Sequence, residues 1–215
     1  RKGDWQPGLR RPPHEGEPGW IFSCRKLSQV TPELLEQRPD WLYLPLGEVR
    51  RNLELCAAIQ NRGVKIAAVL DRITFDSEWE PVLLELRALK EAGITTLVCT
   101  NLGQTALLRK LGFALRGDYS LNVMNSQTIK QLKALGLGSV TLSFEMNFAQ
   151  MRDLSFGLDA EVIVYGRLPL MVFENCAIRR RNHACACDGH PVTLTDKTGR
   201  SFPLLPERGC RNTLY

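Results

Sequence analysis

Seven short β-rich runs recur along the chain, and most are separated by stretches with helical spacing. The runs are WIFSC (20–24), WLYLPL (41–46), KIAAVL (65–70), TTLVCT (95–100), FALRGD (113–118), SVTLSF (139–144) and EVIVYG (161–166). The stretches between them, such as VRRNLELCAAIQNRG and WEPVLLELRALKEAG, repeat apolar residues at helical intervals, and several end in Gly, a common helix stop. Strand–helix–strand alternation implies parallel strands joined by crossover helices. The expected fold class is therefore α/β, a (β/α) TIM-type barrel, complete or partial, over residues 20–170. A doubly wound open sheet is the alternative. No G-x-G-x-x-G follows the first run, so a dinucleotide-binding version has little support. Residues 1–19, rich in Pro, Gly and charge, read as a linker or lead-in. Residues 171–215 read as a C-terminal cysteine-rich extension with a hairpin.

The chain has 215 residues, 44% of them apolar, enough to bury about 70% of its unfolded surface as one domain. Its net charge of +5 permits an anionic partner, RNA or a small carboxylate, without requiring one. No apolar run is long enough to span a bilayer and no signal peptide is visible. The chain begins with Arg and ends on Leu214-Tyr215, which predicts a segment of a longer protein with flanking domains. Cys24, Cys56 and Cys99 lie in apolar periodic segments and are expected as free buried thiols. A cytoplasmic, reducing compartment fits this usage, and there clustered cysteines suggest metal rather than disulfides.

Active sites of parallel α/β folds form where strands end and loops begin. Those positions hold Asp71-Arg72, Asn101, Asp118 with Ser120 and Asn122, Ser143 with Glu145, and Gly166-Arg167. Asn101 and Ser126 open helical patterns and read as caps. Asp118 and Glu145 have no evident capping role and are the candidate catalytic carboxylates, with Arg167 beside them. Asp118, Asn122, Glu145 and Arg167 are expected to converge at one mouth, within reach of the cysteine segment.

Hydrolytic signatures are missing. The three histidines are His14, His183 and His190, and there is no H-E-x-x-H, G-x-S-x-G or Walker-type loop. Cysteine is concentrated at the end instead: Cys176, Cys185, Cys187 and Cys210, separated by eight, one and twenty-two residues. Four thiolates close a tetrahedral zinc site or hold a four-iron cluster. The spacing is neither a zinc ribbon nor a ferredoxin run. Two ligands in C-x-C need a sharp backbone turn to share a metal, so one of Cys185 and Cys187 is open to being a bystander. The stretch PVTLTDKTGRSFPLL, with Lys-Thr-Gly as its turn, reads as a hairpin that returns Cys210 to the other thiols. Arg179, Arg180 and Arg181 lie among them, suited to a carboxylate or phosphate.

EVIVYGRLPLMVFENCAI resembles the signature of the collagenase-like peptidases, unassigned peptidase family thirty-two, with Glu161, Ile163, Gly166, Leu168 and Cys176 matching in place. The upstream GDYSLNVMNSQTIKQLKALGLGSVTLSFEM and the closing DKTGRSFPLLPERGCRNTLY are similar to further segments of that family. The resemblance is good over roughly residues 110–215, and the earlier residues look like the second barrel module of longer members. It departs at Pro169, where a family cysteine usually sits, at Glu174 in place of Gly, and at Arg179 in place of Ser. The resemblance implies either a peptidase, as the family is labelled, or a four-iron–four-sulfur enzyme. Better-defined relatives support oxygen-independent hydroxylation of RNA bases or the ubiquinone ring, with prephenate as oxygen source. In that second picture Cys176, Cys185, Cys187 and Cys210 ligate the cluster, Cys185 or Cys187 replacing the cysteine lost at Pro169. A non-catalytic zinc-stabilised module is the third reading.

Overall fold

The computed structural model describes residues 17–155, 157–182 and 190–215, with residues 180–182 described in backbone alone. Residues 1–16 of the expected lead-in lie outside the described residues, as do Cys185 and Cys187. The chain divides into two compact units between Ile163 and Val164.

The first unit alternates strand and helix: β1 (Ile21–Ser23), α1 (Pro32–Glu36), β2 (Trp41–Pro45), α2 (Leu46–Arg51), α3 (Leu53–Gln60), β3 (Lys65–Val69), α4 (Trp79–Glu91) and β4 (Thr96–Cys99). It continues with α5 (Leu102–Lys110), β5 (Ala114–Gly117), α6 (Ser126–Ala134), β6 (Leu137–Thr141), α7 (Phe148–Arg152) and β7 (Asp159–Glu161). The seven strands form one sheet in chain order, each parallel to the next. Polar residues set the helix starts. The Thr31 hydroxyl accepts from the Leu34 N–H at 3.3 Å, and Asn101, Asn125 and Asn147 cap α5, α6 and α7 in the same way. The cap of α6 is thus Asn125, not Ser126, whose hydroxyl instead accepts from the Ser155 N–H at 2.8 Å. The single helical stretch read over 49–63 is two helices, because Asn52 leaves the helical region at φ −132° and ψ 38°.

Alternate strand residues face the helices and make the core. Leu42, Leu44, Ile66, Leu97, Cys99, Leu115, Val140 and Leu142 pack with Val49, Ile59, Val82, Leu86, Leu89, Leu108, Ile129 and Leu132. Each large aliphatic side chain buried this way contributes about 1.5–3 kcal/mol. Between β5 and β6 the register slips from Leu115↔Leu137 to Arg116↔Ser139, so Leu137 and Val140 both reach this core. Cys24, Cys56 and Cys99 are buried free thiols, as expected, and burial is the main cause that pushes Cys56 up to about 11 and Cys99 up to about 12. They are inert at neutral pH.

The sheet curls. Strands β2 and β7 are five steps apart, which in a flat sheet is about 24 Å. Yet the Tyr43 hydroxyl of β2 donates to Glu161 of β7 at 2.8 Å. Among the described residues β7 does not pair with β1, so the sheet is an open, partial barrel of seven strands. The seventh strand also differs from its reading. The run EVIVYG was expected to be a strand, but β7 ends at Glu161, and Val162, Val164 and Tyr165 are exposed. The reason is its neighbour: β6 ends at Thr141, which pairs with Glu161, and leaves no regular strand beyond it for residues 162–166 to pair with.

At five of the helix-to-strand turns the chain takes a left-handed residue. After α3, α4, α5 and α6 that residue is Gly63, Gly93, Gly112 and Gly136, at φ 90°, 79°, 79° and 91°. After α1 it is Arg38 at φ 49°. A side chain in that conformation costs about 1 kcal/mol relative to glycine.

The second unit holds β8 (Met171–Phe173), α8 (Ala177–Asn182), β9 (Val192–Thr195), β10 (Ser201–Pro206) and β11 (Asn212–Leu214). Its four strands form an antiparallel sheet in the order β8-β11-β10-β9. The expected hairpin is there: β9 and β10 pair from Thr195↔Ser201 to Val192↔Leu204. Asp196 holds its turn, accepting from the Thr198 and Arg200 N–H groups at 2.8 and 2.9 Å. Among the described residues no helix is long and apolar enough to cross a membrane.

Candidate functional site

The C-terminal ends of β3, β4 and β5 are stitched by polar side chains. The Thr100 hydroxyl lies 3.2 and 3.1 Å from the Leu70 and Asp71 carbonyls, and the Gln104 side chain donates to the Asp71 carbonyl at 2.8 Å. The Ser120 hydroxyl donates to the Thr100 carbonyl at 2.8 Å, and the Asp118 N–H to the Cys99 carbonyl at 2.9 Å. Asp118 does have a capping role: it accepts from the Ser120 N–H at 3.2 Å and starts the 3₁₀ turn Tyr119–Leu121. A short turn of this kind carries no helical periodicity, so nothing in the sequence announced the cap.

Burial pushes the Asp118 carboxyl above its ordinary value, against hydrogen bonds from Ser120 and Tyr119 and the charge of Arg72. An unfolded aspartate titrates near about 3.9. The folded state therefore holds this proton more tightly. The associated stability is fully present below about pH 4 and is lost as pH rises through the folded pKa. Asp118→Asn keeps an acceptor for the Ser120 N–H and cannot titrate. The stability of the wild-type chain minus that of Asp118→Asn should fall as pH is raised from about 4 towards 7. Urea midpoints across that range measure it, and a flat or rising difference would refute the buried carboxyl.

Asn122 closes the same turn at φ 49° and is exposed. Glu145 is exposed in the loop after β6, its N–H donating to the Ser143 hydroxyl at 3.4 Å. An aromatic and apolar rim lies on these loops. Phe75, Leu102, Met124, Phe144 and Phe148 are exposed, and the Tyr119 and Phe144 rings pair at 5.9 Å between centroids. The first unit thus places Asp118, Asn122 and Glu145 on loops at one end. Arg167 and the three arginines Arg179, Arg180 and Arg181 belong to the second unit, where Arg167 and Arg179 are exposed.

Inside the curl lies a cluster that the reading of strand ends missed. Glu161 accepts from Tyr43 at 2.8 Å, from the Ser139 hydroxyl at 2.6 Å, from the Thr141 hydroxyl at 3.1 Å and from the Arg116 guanidinium at 2.8 Å. Arg116 also donates to the Tyr43 oxygen and stacks over the Trp41 ring, 4.4 Å from its centroid. The Arg116 and Glu161 side chains are only 13% and 10% exposed, so the pair is a buried one. Burial, and then the Glu161 charge, push the Tyr43 hydroxyl well above its ordinary range, so it stays protonated and donates. Barrel interiors are usually filled with branched aliphatics. Here the inward positions of β1–β4 are largely apolar, among them Trp41, Ala67, Val69 and Val98, whereas those of β5, β6 and β7 include Arg116, Ser139, Thr141 and Glu161, and the cluster ties β2, β5, β6 and β7 across the lumen. The signal was present in the alternation: W-x-Y in β2, A-x-R in β5, S-x-T in β6 and D-x-E in β7.

In the second unit the β8–β11 register pairs Phe173 with Asn212. Cys176 follows β8 and Cys210 precedes β11, so the antiparallel pairing brings the two to the same end of the sheet. The Cys176 sulfur accepts from the Arg179 N–H at 3.3 Å. Arg211 is paired with Glu174 at 2.8 Å, and the Asn212 side chain accepts from the Ala177 N–H at 2.8 Å, which fixes the chain on both sides. Among the described residues no three ligand-type side chains converge. Two of the four expected thiols, Cys185 and Cys187, lie outside those residues.

The profile of Peptidase family U32 matches residues 48–184. The solved structure of the U32 peptidase Mk0906 superposes with a TM-score of 0.50 and 13% identity, covering 71% of this chain and 72% of that one. That likeness supports the fold. A glycerol uptake operon antiterminator-related protein from Thermotoga maritima MSB8 superposes at 0.39 with 13% identity, over 67% of this chain and 94% of that one, too low to bear on the fold. Comparison with curated proteins finds no match.

Proposed function

Since this chain belongs to Peptidase family U32, we propose that it is an iron–sulfur enzyme of that family, acting on an RNA base or a small aromatic carboxylate by oxygen-independent hydroxylation. The observation that carries the reading is the register that sets Cys176 and Cys210 at one end of the second unit's sheet. The donor set fits a four-iron–four-sulfur cluster: thiolates from Cys176, Cys210, Cys185 and Cys187, soft ligands of the kind such clusters take. Zinc on the same thiolates is the alternative metal. When bound, the cluster supplies one-electron transfer.

The protein's own residues do the rest. Asp118, buried and with its pKa raised by that burial, holds a proton more tightly than an ordinary aspartate and is suited to deliver it. Glu145 and Asn122 offer an exposed carboxylate and amide on neighbouring loops. Arg167 and Arg179, with Arg180 and Arg181, are assigned to the anionic group of the substrate, which guanidinium forks grip well. The apolar rim of Phe75, Phe144 and Phe148 suits the face of a planar ring.

Peptide hydrolysis is the reading that the family's label favours. It calls for a nucleophile beside a base, and among the described residues the one histidine, His190, is exposed. Incubating the anaerobically purified chain with gelatin should give no cleavage. Cleavage that survives replacement of Cys176, Cys185, Cys187 and Cys210 by alanine would sink the iron–sulfur reading in favour of a peptidase.

A further inference from the structure

Four of the helix-to-strand turns in the first unit place glycine at the left-handed position, each N–H donating to the carbonyl three residues back. The α1–β2 turn makes the same hydrogen bond, from the Arg38 N–H to the Leu35 carbonyl at 3.0 Å, but with arginine. Glycine is the residue that this conformation favours. At this one turn the chain carries a long cationic side chain against that preference.

Arg38 lines a cleft of about 480 Å³ between the α1–β2 and α3–β3 turns. The cleft lies at the N-terminal ends of the strands, the opposite end from Asp118 and Glu145. Arg62 and Lys65 line it from the second turn, and Glu36 and Asp40 line it from the first. Asp40 is engaged, accepting from the Trp20 N–H at 2.9 Å. Among the described residues the Arg38 and Arg62 guanidinium groups have no hydrogen-bond or ion-pair partner.

Cations gather at helix C-termini because the last carbonyls carry partial negative charge. That accounts for Arg62, which follows α3, and the Lys65 ammonium lies over the Trp41 ring, 5.4 Å from its centroid. The pull of the carbonyls does not account for Arg38. Gln37, one residue earlier, is right-handed at φ −71°. An arginine there would offset the same carbonyls without entering the left-handed region.

We propose that this cleft is an anion site that takes the phosphate or carboxylate group of a small molecule, with Arg38 held in place for that contact and Arg62 completing the cationic wall, while the Lys65 ammonium rests over the Trp41 ring. Its volume falls within the range of about 300–1,000 Å³ that small-molecule sites occupy. Guanidinium groups bind both oxyanions through paired, charge-assisted hydrogen bonds.

The full chain is titrated with inorganic phosphate and, separately, with acetate at constant ionic strength, following amide shifts of residues 35–40 and 62–65 by NMR. Saturable binding of one anion over the other identifies the ligand's anionic group. Arg38→Gly is expected to weaken that binding by about tenfold or more, the equivalent of one good charged contact. The same variant should melt at the wild-type temperature or above, since glycine suits the backbone there. Arg62→Ala should also weaken binding. The proposal fails if neither anion saturates, or if Arg38→Gly binds as the wild type does. A lower melting temperature with binding intact would show that Arg38 serves the fold alone.

Discussion

Glu161→Ala is expected to destabilise the first unit by about 3–5 kcal/mol, the usual cost of removing one partner from a buried ion pair. Arg116 is 13% exposed, and the substitution leaves its charge in the lumen with only the Tyr43 oxygen and the Trp41 ring for company. Ser139 and Thr141, both buried, lose their acceptor at the same time. In a chain of this size the change lowers the melting temperature by roughly 6–20 °C, at about 2–4 °C per kcal/mol. Tyr43→Phe removes two hydrogen bonds, the one donated to Glu161 and the one accepted from Arg116, and should cost about 1–3 kcal/mol. The double replacement Arg116→Met with Glu161→Leu should recover much of the single loss, because it removes both charges together. A Glu161→Ala effect below about 1 kcal/mol would place the pair in solvent and contradict the curled sheet.

The second large effect falls on metal. Cys176→Ala and Cys210→Ala should each abolish cluster binding, not merely weaken it. Three thiolates leave a corner of the cluster open, and binding free energy of this kind is also folding energy for the segment that wraps the site. The two residues reach one end of the sheet through backbone pairing that neither substitution disturbs, since the β8–β11 register runs from Met171↔Leu214 to Phe173↔Asn212. The antiparallel sheet of the second unit should therefore persist in both variants, which circular dichroism would check. Cys24→Ala, at a buried core thiol, is the control and should leave metal content unchanged.

The fold was legible where strand residues alternate between a helix-facing and an inward side. Leu42, Leu44, Ile66 and Leu97 announce themselves as core, and the parallel order follows from the helices between them. The seventh strand was misplaced because V-I-V-Y has strand composition, whereas pairing depends on how far β6 runs. The cap at Asp118 escaped notice because a three-residue turn leaves no pattern. The lumen cluster escaped for a different reason. Tyr43, Arg116, Ser139, Thr141 and Glu161 are far apart in sequence, and only the curl makes them neighbours. The β9–β10 hairpin was legible because its Lys197-Thr198-Gly199 turn is a local signal.

The central claim is that the thiols hold an iron–sulfur cluster, and it is tested most directly by iron and acid-labile sulfide analysis of the full chain purified without oxygen. The account predicts about four iron and four sulfide per chain, both lost in Cys176→Ala and Cys210→Ala. About one zinc per chain with no sulfide, or iron that is retained when Cys176 is alanine, would contradict it.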